Sequence, residues 1–199
     1  MAVSETIVRE YFELHSLFVR QQRKHIAPRR EDDEIDFYVH NPNGPPEGSE
    51  LPFVLEASDL TNLTRAVVVV KAWHTEVFSQ AVLANAPEIF RFASPATFKR
   101  ATDAFGSPGP LVKILVIPAL PASGEARQQS IDLLRAKGID GIIEFRTMLS
   151  ELINHIETNR NYQKSDLLQV IRILKNYDLF APPQLELFDL PKQNRRTKA

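Results

Sequence analysis

Residues 66–74 read AVVVVKAWH. Four consecutive valines suit a strand far better than a helix, because β-branched side chains lose rotamer freedom on a helix and pack well on a pleated sheet. No polar residue interrupts the run, so both faces of this strand are expected to be covered. The strand then ends in Lys71, with an indole and an imidazole close behind it. An ammonium at the mouth of a buried strand is costly unless it meets solvent, an anion or a carboxylate. Whatever Lys71 meets is therefore the first question about function.

The rest of the chain supplies layers for that strand. Ile7, Tyr11, Leu14 and Phe18 recur at helical spacing behind Ser4, an N-cap residue type, which predicts a first helix over about 5–15. LFVRQQR (17–23) and EIDFYVHN (34–41) read as strands, with the polar HIAPRREDDE between them. Residues 41–52, NPNGPPEGSELP, are a proline- and glycine-rich loop. FVLEASDLTNLTR gives a short strand and a helical turn capped by Ser58. From Thr75 the pattern is helical to about Phe92, with a break at Ala86-Pro87. SPATFKRATDAFG (94–106) follows as a helix capped by Ser94 and closed by Gly106.

LVKILVIPAL (111–120) is a strand, EARQQSIDLLRAKG (125–138) a helix and DGIIEF (140–145) a last strand. Two amphipathic helices, RTMLSELINHIET and SDLLQVIRILKNYDLF, come next. In the second, Leu167, Leu168, Ile171, Leu174 and Tyr177 are expected to share a face. Three early strands joined without helices suit an antiparallel meander. The long crossover after the third suits a parallel fourth strand at 112–118. The expected fold is α/β, a mixed central sheet flanked by helices. It forms a single domain over 1–180, with a helical addition at about 146–180. Residues 181–199 are expected to form an extended or disordered basic tail.

Composition narrows the chemistry. At 199 residues, 43% hydrophobic and 25% charged, the chain is long enough for one substantial core. Its net charge of −1 provides no global attraction to nucleic acid or anionic lipid, so such a surface must be a local patch. The absence of cysteine removes disulfides, thiolate catalysis and cysteine-based zinc sites. The first residues, MAVSETIVREYF, lack a signal-peptide core, and no apolar run approaches the ~20 residues of a membrane span. A soluble, cytoplasmic protein without a membrane partner is the expectation.

A glutamate-bearing first helix, a strand beginning with Asp36 in EIDFYV, and a strand ending in Lys71 together resemble the PD-(D/E)xK nuclease superfamily. This superfamily includes restriction endonucleases, Holliday-junction resolvases and Mrr-like enzymes. The resemblance covers about residues 5–145 and implies the restriction-endonuclease-like fold, a helix and three antiparallel strands followed by a helix and a parallel strand. It also implies a nuclease, a hydrolase that uses magnesium to cut phosphodiester bonds. Such a cation neutralises phosphate and lowers the pKa of the attacking water, and it takes oxygen ligands. By similarity Asp36 would bind metal, Lys71 would be the catalytic lysine and Glu10 the first-helix acid.

One position departs from the pattern. The family's second acid lies two residues before the lysine, where this chain has Val69. Some members carry that acid on the following helix, which makes Glu76 the metal-ligand candidate. The alternative is a catalytically degenerate nuclease-fold module that binds nucleic acid or protein. Nucleic acid is the partner implied for the nuclease, and nucleic acid or protein for the degenerate module; a homodimer stays open.

Each candidate also has a plain structural reading. Asp36 can be a surface acid, and Lys71 can extend its ammonium into water. Glu13 shares a helix face with Glu10 and competes for its role. Trp73 reads as core, and His74 and His155 as packing residues. Arg20, Arg23, Lys24, Arg29 and Arg30 cluster near the proposed site and suit phosphate binding. The acidic run Glu31–Glu34 reads as a solvated turn paired with Arg29 and Arg30. Gly106-Ser107-Pro108-Gly109 lacks the lysine and spacing of a phosphate loop.

Overall fold

The computed structural model describes residues 3–22, 35–106 and 109–180, and the valine run is the middle strand of its sheet. In chain order the strands are β1 (Phe18–Gln21), β2 (Phe37–His40), β3 (Arg65–Val70), β4 (Val112–Ile117) and β5 (Gly141–Glu144). They lie side by side in that same order. β1–β2 and β2–β3 are antiparallel, while β3–β4 and β4–β5 are parallel. The expected meander with a parallel fourth strand is present, in a five-stranded mixed sheet.

The sheet belongs to the first of two compact units, Met1–His155 and Ile156–Ala199. Within the first, Ala66, Val67, Val68 and Val69 are all buried. Full burial contributes roughly 1.5–3 kcal/mol for each such valine, so this strand is a main source of the unit's stability. Val67 and Val69 join Leu115, Ile117 and Ile142 in a cluster with Leu83, Ile89 and Phe92. Those last three come from α2 (Gln80–Ala84) and from a 3-10 segment, Pro87–Ala93. Ile131 and Leu134 of α4 (Gly124–Ala136) complete that layer. On the opposite side α1 (Val3–Leu14) and α5 (Phe145–His155) pack on each other and on the strands, burying Val8, Tyr11, Phe12, Met148 and Leu152.

The local endings follow from single residues. α3 (Pro95–Phe105) is capped where Ser94 Oγ accepts from Thr97 N at 3.3 Å, and it stops at Gly106 in a left-handed conformation. β5 is closed on its outer edge by residues 53–55. Ile142 N donates to Phe53 O (2.7 Å), and Leu55 N donates to Ile142 O (2.9 Å). A Cβ at Gly141 would meet Leu55 Cδ1 at 3.0 Å, so that side chain would have to shift.

Three expectations change. The helix expected from Thr75 begins only at Gln80, because Ser79 Oγ accepts from Val82 N (3.4 Å) and caps it there. Pro87 then starts a separate 3-10 segment. The turn expected behind Ser58 is a 3-10 helix, Ala57–Asn62, whose N-cap is Glu56; Glu56 N donates to Asp59 Oδ2 at 2.8 Å. Ser4 lies inside α1, so it is not the helix cap.

α5, expected in the helical addition, is built into the first unit through Phe145, Met148 and Leu152. The second unit contains α6 (Asp166–Asn176), capped where Ser165 Oγ accepts from Leu168 N. Lys175 Nζ donates to Ile156 O at 2.6 Å and Arg172 Nη1 to Arg160 O at 3.2 Å. Ile171 is buried, but Tyr177 is 74% exposed and does not share the inner face. Residues 181–199, the expected tail, lie outside the described residues.

Candidate functional site

The carboxyl end of β3 brings the two principal candidates to neighbouring strands. Lys71 N donates to Val116 O at 2.9 Å, so pairing with β4 continues one residue past Val70. Asp36 stands just before β2. Its N donates to Val68 O (3.0 Å), the residue that the strand register already pairs with Phe37. Two residues of β2's chain thus address one residue of β3, as in a bulge. The offset leaves the next β3 donor to be satisfied otherwise, and Asp36 Oδ2 accepts from Val70 N at 2.7 Å. Asp36 is only 7% exposed. A carboxylate that caps a part-buried N–H is a strong interaction, and losing it would leave the donor without this acceptor.

Val69, at the position of the family's second acid, is 1% exposed and belongs to the cluster facing α2 and α4. Lys71 is half-buried. Beyond it Ala72, Trp73, His74, Thr75, Glu76 and Val82 line an open depression of about 590 Å³. Trp73 was expected in the core, yet it is 37% exposed, with its ring 5.6 Å from Phe78. The chain leaves the sheet at Lys71, so the indole packs only one side and rims the depression. His74, read as a packing residue, is exposed, although Nε2 lies 2.9 Å from Ser4 Oγ and its ring meets Phe145 edge-on at 4.6 Å. Glu76 is exposed and closes a turn through its N–H to Trp73 O (2.8 Å).

Glu10 is not at the point where α1 meets this end. Ser4 makes that contact, and Glu10 lies six residues farther along, about 9 Å of helix. Glu10 is buried and paired with Arg9 Nη2 at 3.1 Å. At the competing Glu13, burial raises the carboxyl pKa, with Arg9 opposing and Glu10 adding to the rise. The acid in α1's first turn is Glu5, which accepts from Gln21 Nε2 at 2.7 Å. The sequence reading passed over Glu5; the pattern of Ile7 and Tyr11 sets which face of α1 is buried but not which turn meets the strand ends. Arg20 is exposed on β1. Arg23, Lys24, Arg29, Arg30 and Glu31–Glu34 lie outside the described residues.

The donors at β3's end do not reproduce the family's carboxylate pair. Magnesium uses one or two carboxylates with water and phosphate. Here one oxygen of Asp36 is committed to Val70 N–H, and Val69 supplies no donor. Among the described residues, no group of three or more histidines and carboxylates is placed to hold a metal ion. No helix among them is long and apolar enough to cross a membrane.

At the opposite end of the parallel strands, a second cavity of about 380 Å³ is lined by Leu55, Phe98, Lys113 and Asp140, among others. Asp140 Oδ2 accepts from Lys113 N at 2.7 Å and lies 3.5 Å from Lys113 Nζ. That ammonium also sits 4.4 Å above the Phe98 ring. In comparisons with known proteins, no family model, curated protein or solved structure matches this chain.

Proposed function

We propose that this chain is a restriction-endonuclease-like module that binds nucleic acid at the carboxyl end of β3 and lacks the usual catalytic acid pair. The observation that carries the reading is the composition of that end. A half-buried lysine immediately precedes Ala72–Glu76, which line an open depression with an exposed indole, while the acid position is a buried valine. An ammonium suits a phosphate, and an indole face suits an unstacked base. Ligand sites of open α/β sheets also favour the carboxyl ends of parallel strands. Asp36 keeps the family's position but serves the β-ladder, through Val70 N.

Binding is tested by fluorescence anisotropy with labelled single- and double-stranded DNA and RNA between about 50 and 200 mM salt, the range over which phosphate contacts weaken. The expected result is affinity that falls steadily with salt. Lys71→Ala should lower the log–log salt slope by about 1, the loss of one phosphate contact. No binding at the lowest salt, or an unchanged slope in the variant, would remove the reading.

A second reading has one observation in its favour: Glu76 lines the same depression. In it, the chain is a divergent magnesium-dependent nuclease with Asp36 and Glu76 as metal ligands and Lys71 beside the phosphate. Metal-dependent cleavage abolished by either Asp36→Ala or Glu76→Ala would select it over binding alone.

A further inference from the structure

A second polar cluster lies at the other end of α1, away from His74. α1 stops at Leu14 as Leu17 N returns to Phe12 O (3.1 Å) and Ser16 N to Glu13 O (2.9 Å). This turn sets His15 against α5. His15 Nε2 is 3.8 Å from Glu151 Oε1, too long for a hydrogen bond, and His155 Nδ1 is 3.3 Å from the same oxygen. The two imidazole rings are 6.3 Å apart. Tyr11 lies edge-on to His15 at 5.1 Å. Among the described residues, both His15 Nε2 and the Tyr11 hydroxyl are buried without a hydrogen-bond partner.

We propose that His15, Glu151 and His155 form a proton-sensitive clasp between α1 and α5 that loosens on acidification. One carboxylate faces two imidazoles, so it cannot neutralise both when both are charged. The surrounding groups are Tyr11 on α1, Glu151 and His155 on α5, and Glu56 and Asp59 at the 3-10 helix packed on α5. Burial lowers the His15 pKa below its usual value; Glu151 opposes this and His155 reinforces it. Burial, then the acids Glu151, Glu56 and Asp59, raise the pKa of Tyr11, so its phenol stays neutral and offers His15 no negative charge.

The sign follows from linkage. The folded chain holds a proton on His15 less tightly than the unfolded chain, whose imidazole titrates near 6.5. The stability it contributes is complete above about pH 6.5 and is lost as pH falls through that value toward the lower folded pKa. The same helix carries Ser4 against His74, so release of its far end weakens the support of the depression beyond β3.

The test is thermal unfolding of the full chain from about pH 8 to 5.5, for the unmodified protein and for His15→Gln. The unmodified protein should lose more over this range than His15→Gln, by at most roughly 5 °C, the ceiling for a single titrating group in a chain of this size. Superimposable profiles would overturn the proposal. Should His15→Gln not fold, NMR titration of imidazoles in the unmodified chain decides. His15 should titrate below 6.5, and lower still in Glu151→Gln; a midpoint at or above 6.5 overturns the clasp.

Discussion

Two aspartates in this chain occupy the same local position and sit in different surroundings. Asp36 immediately precedes β2 and caps Val70 N of β3 at 2.7 Å; Asp140 immediately precedes β5 and caps Lys113 N of β4 at 2.7 Å. Each has a lysine close by, Lys71 directly after Val70 and Lys113 itself. The Asp140 side chain is 40% exposed and its lysine is engaged by the carboxylate and by the Phe98 ring. Asp36 is buried, and its lysine directly precedes Ala72–Glu76, which line a depression with an exposed indole. An aspartate and a lysine on neighbouring strands therefore need not signify catalysis, since the sheet uses the same pair at Asp140 for its own ladder. What distinguishes the Asp36 end is the open, aromatic surface beside the lysine.

The largest effect that could break this comparison comes from placing an acid at Val69. Val69→Glu places a carboxylate in an apolar cluster and is expected to cost about 3–5 kcal/mol, read as a lowered urea midpoint. A variant as stable as the parent would mean that Val69 borders solvent or a cation instead.

Next come the caps themselves. Asp36→Ala should cost about 1–3 kcal/mol, because it leaves the part-buried Val70 N–H without this acceptor. Asp140→Ala should cost only about 0.5–1 kcal/mol, since water can replace an exposed acceptor. Equal losses in chemical denaturation would erase the difference in burial on which the comparison rests.

The smallest stability effects are expected at the lysines. Lys113→Met should lose about 0.5–1 kcal/mol through its ion pair and ring contact. Lys71→Met should weaken nucleic-acid binding while costing less stability than Asp36→Ala. A Lys71 variant that loses stability and keeps binding would assign that lysine to the ladder, as at Lys113.

The sheet was legible because its signals are local and strong. The valine run, the missing helix between β1 and β2, and the long segment before β4 specify the antiparallel meander and a parallel fourth strand; that β4 lies beside β3 and β5 beside β4 is set by tertiary packing. Ser94 and Gly106 likewise mark both ends of α3. The stretch after Lys71 was misread as helix from Thr75 because its apolar spacing outlasts the element; Ser79 decides the start. Residue type alone puts Trp73 in the core, whereas its exposure depends on where the chain leaves the sheet.

At the site, order alone placed Asp36 beside β3's end, but the hydrogen bond to Val70 N arises from a one-residue offset that no spacing encodes. Glu10 was chosen from a face of α1 shared with Glu13. Which turn of that helix meets the strand ends depends on the contact between Ser4 and His74, seventy residues apart in sequence.

The central claim is that β3's end keeps a binding surface without a catalytic pair of acids. Its most direct measurement is hydrolysis of labelled single- and double-stranded DNA and RNA by the purified chain in magnesium and in manganese, beside Asp36→Ala and Glu76→Ala. The account predicts no metal-dependent product above that of the two variants, under conditions where the parent binds the same substrates. Metal-dependent product that disappears in both variants would contradict it and make Glu76 the relocated acid of an active site.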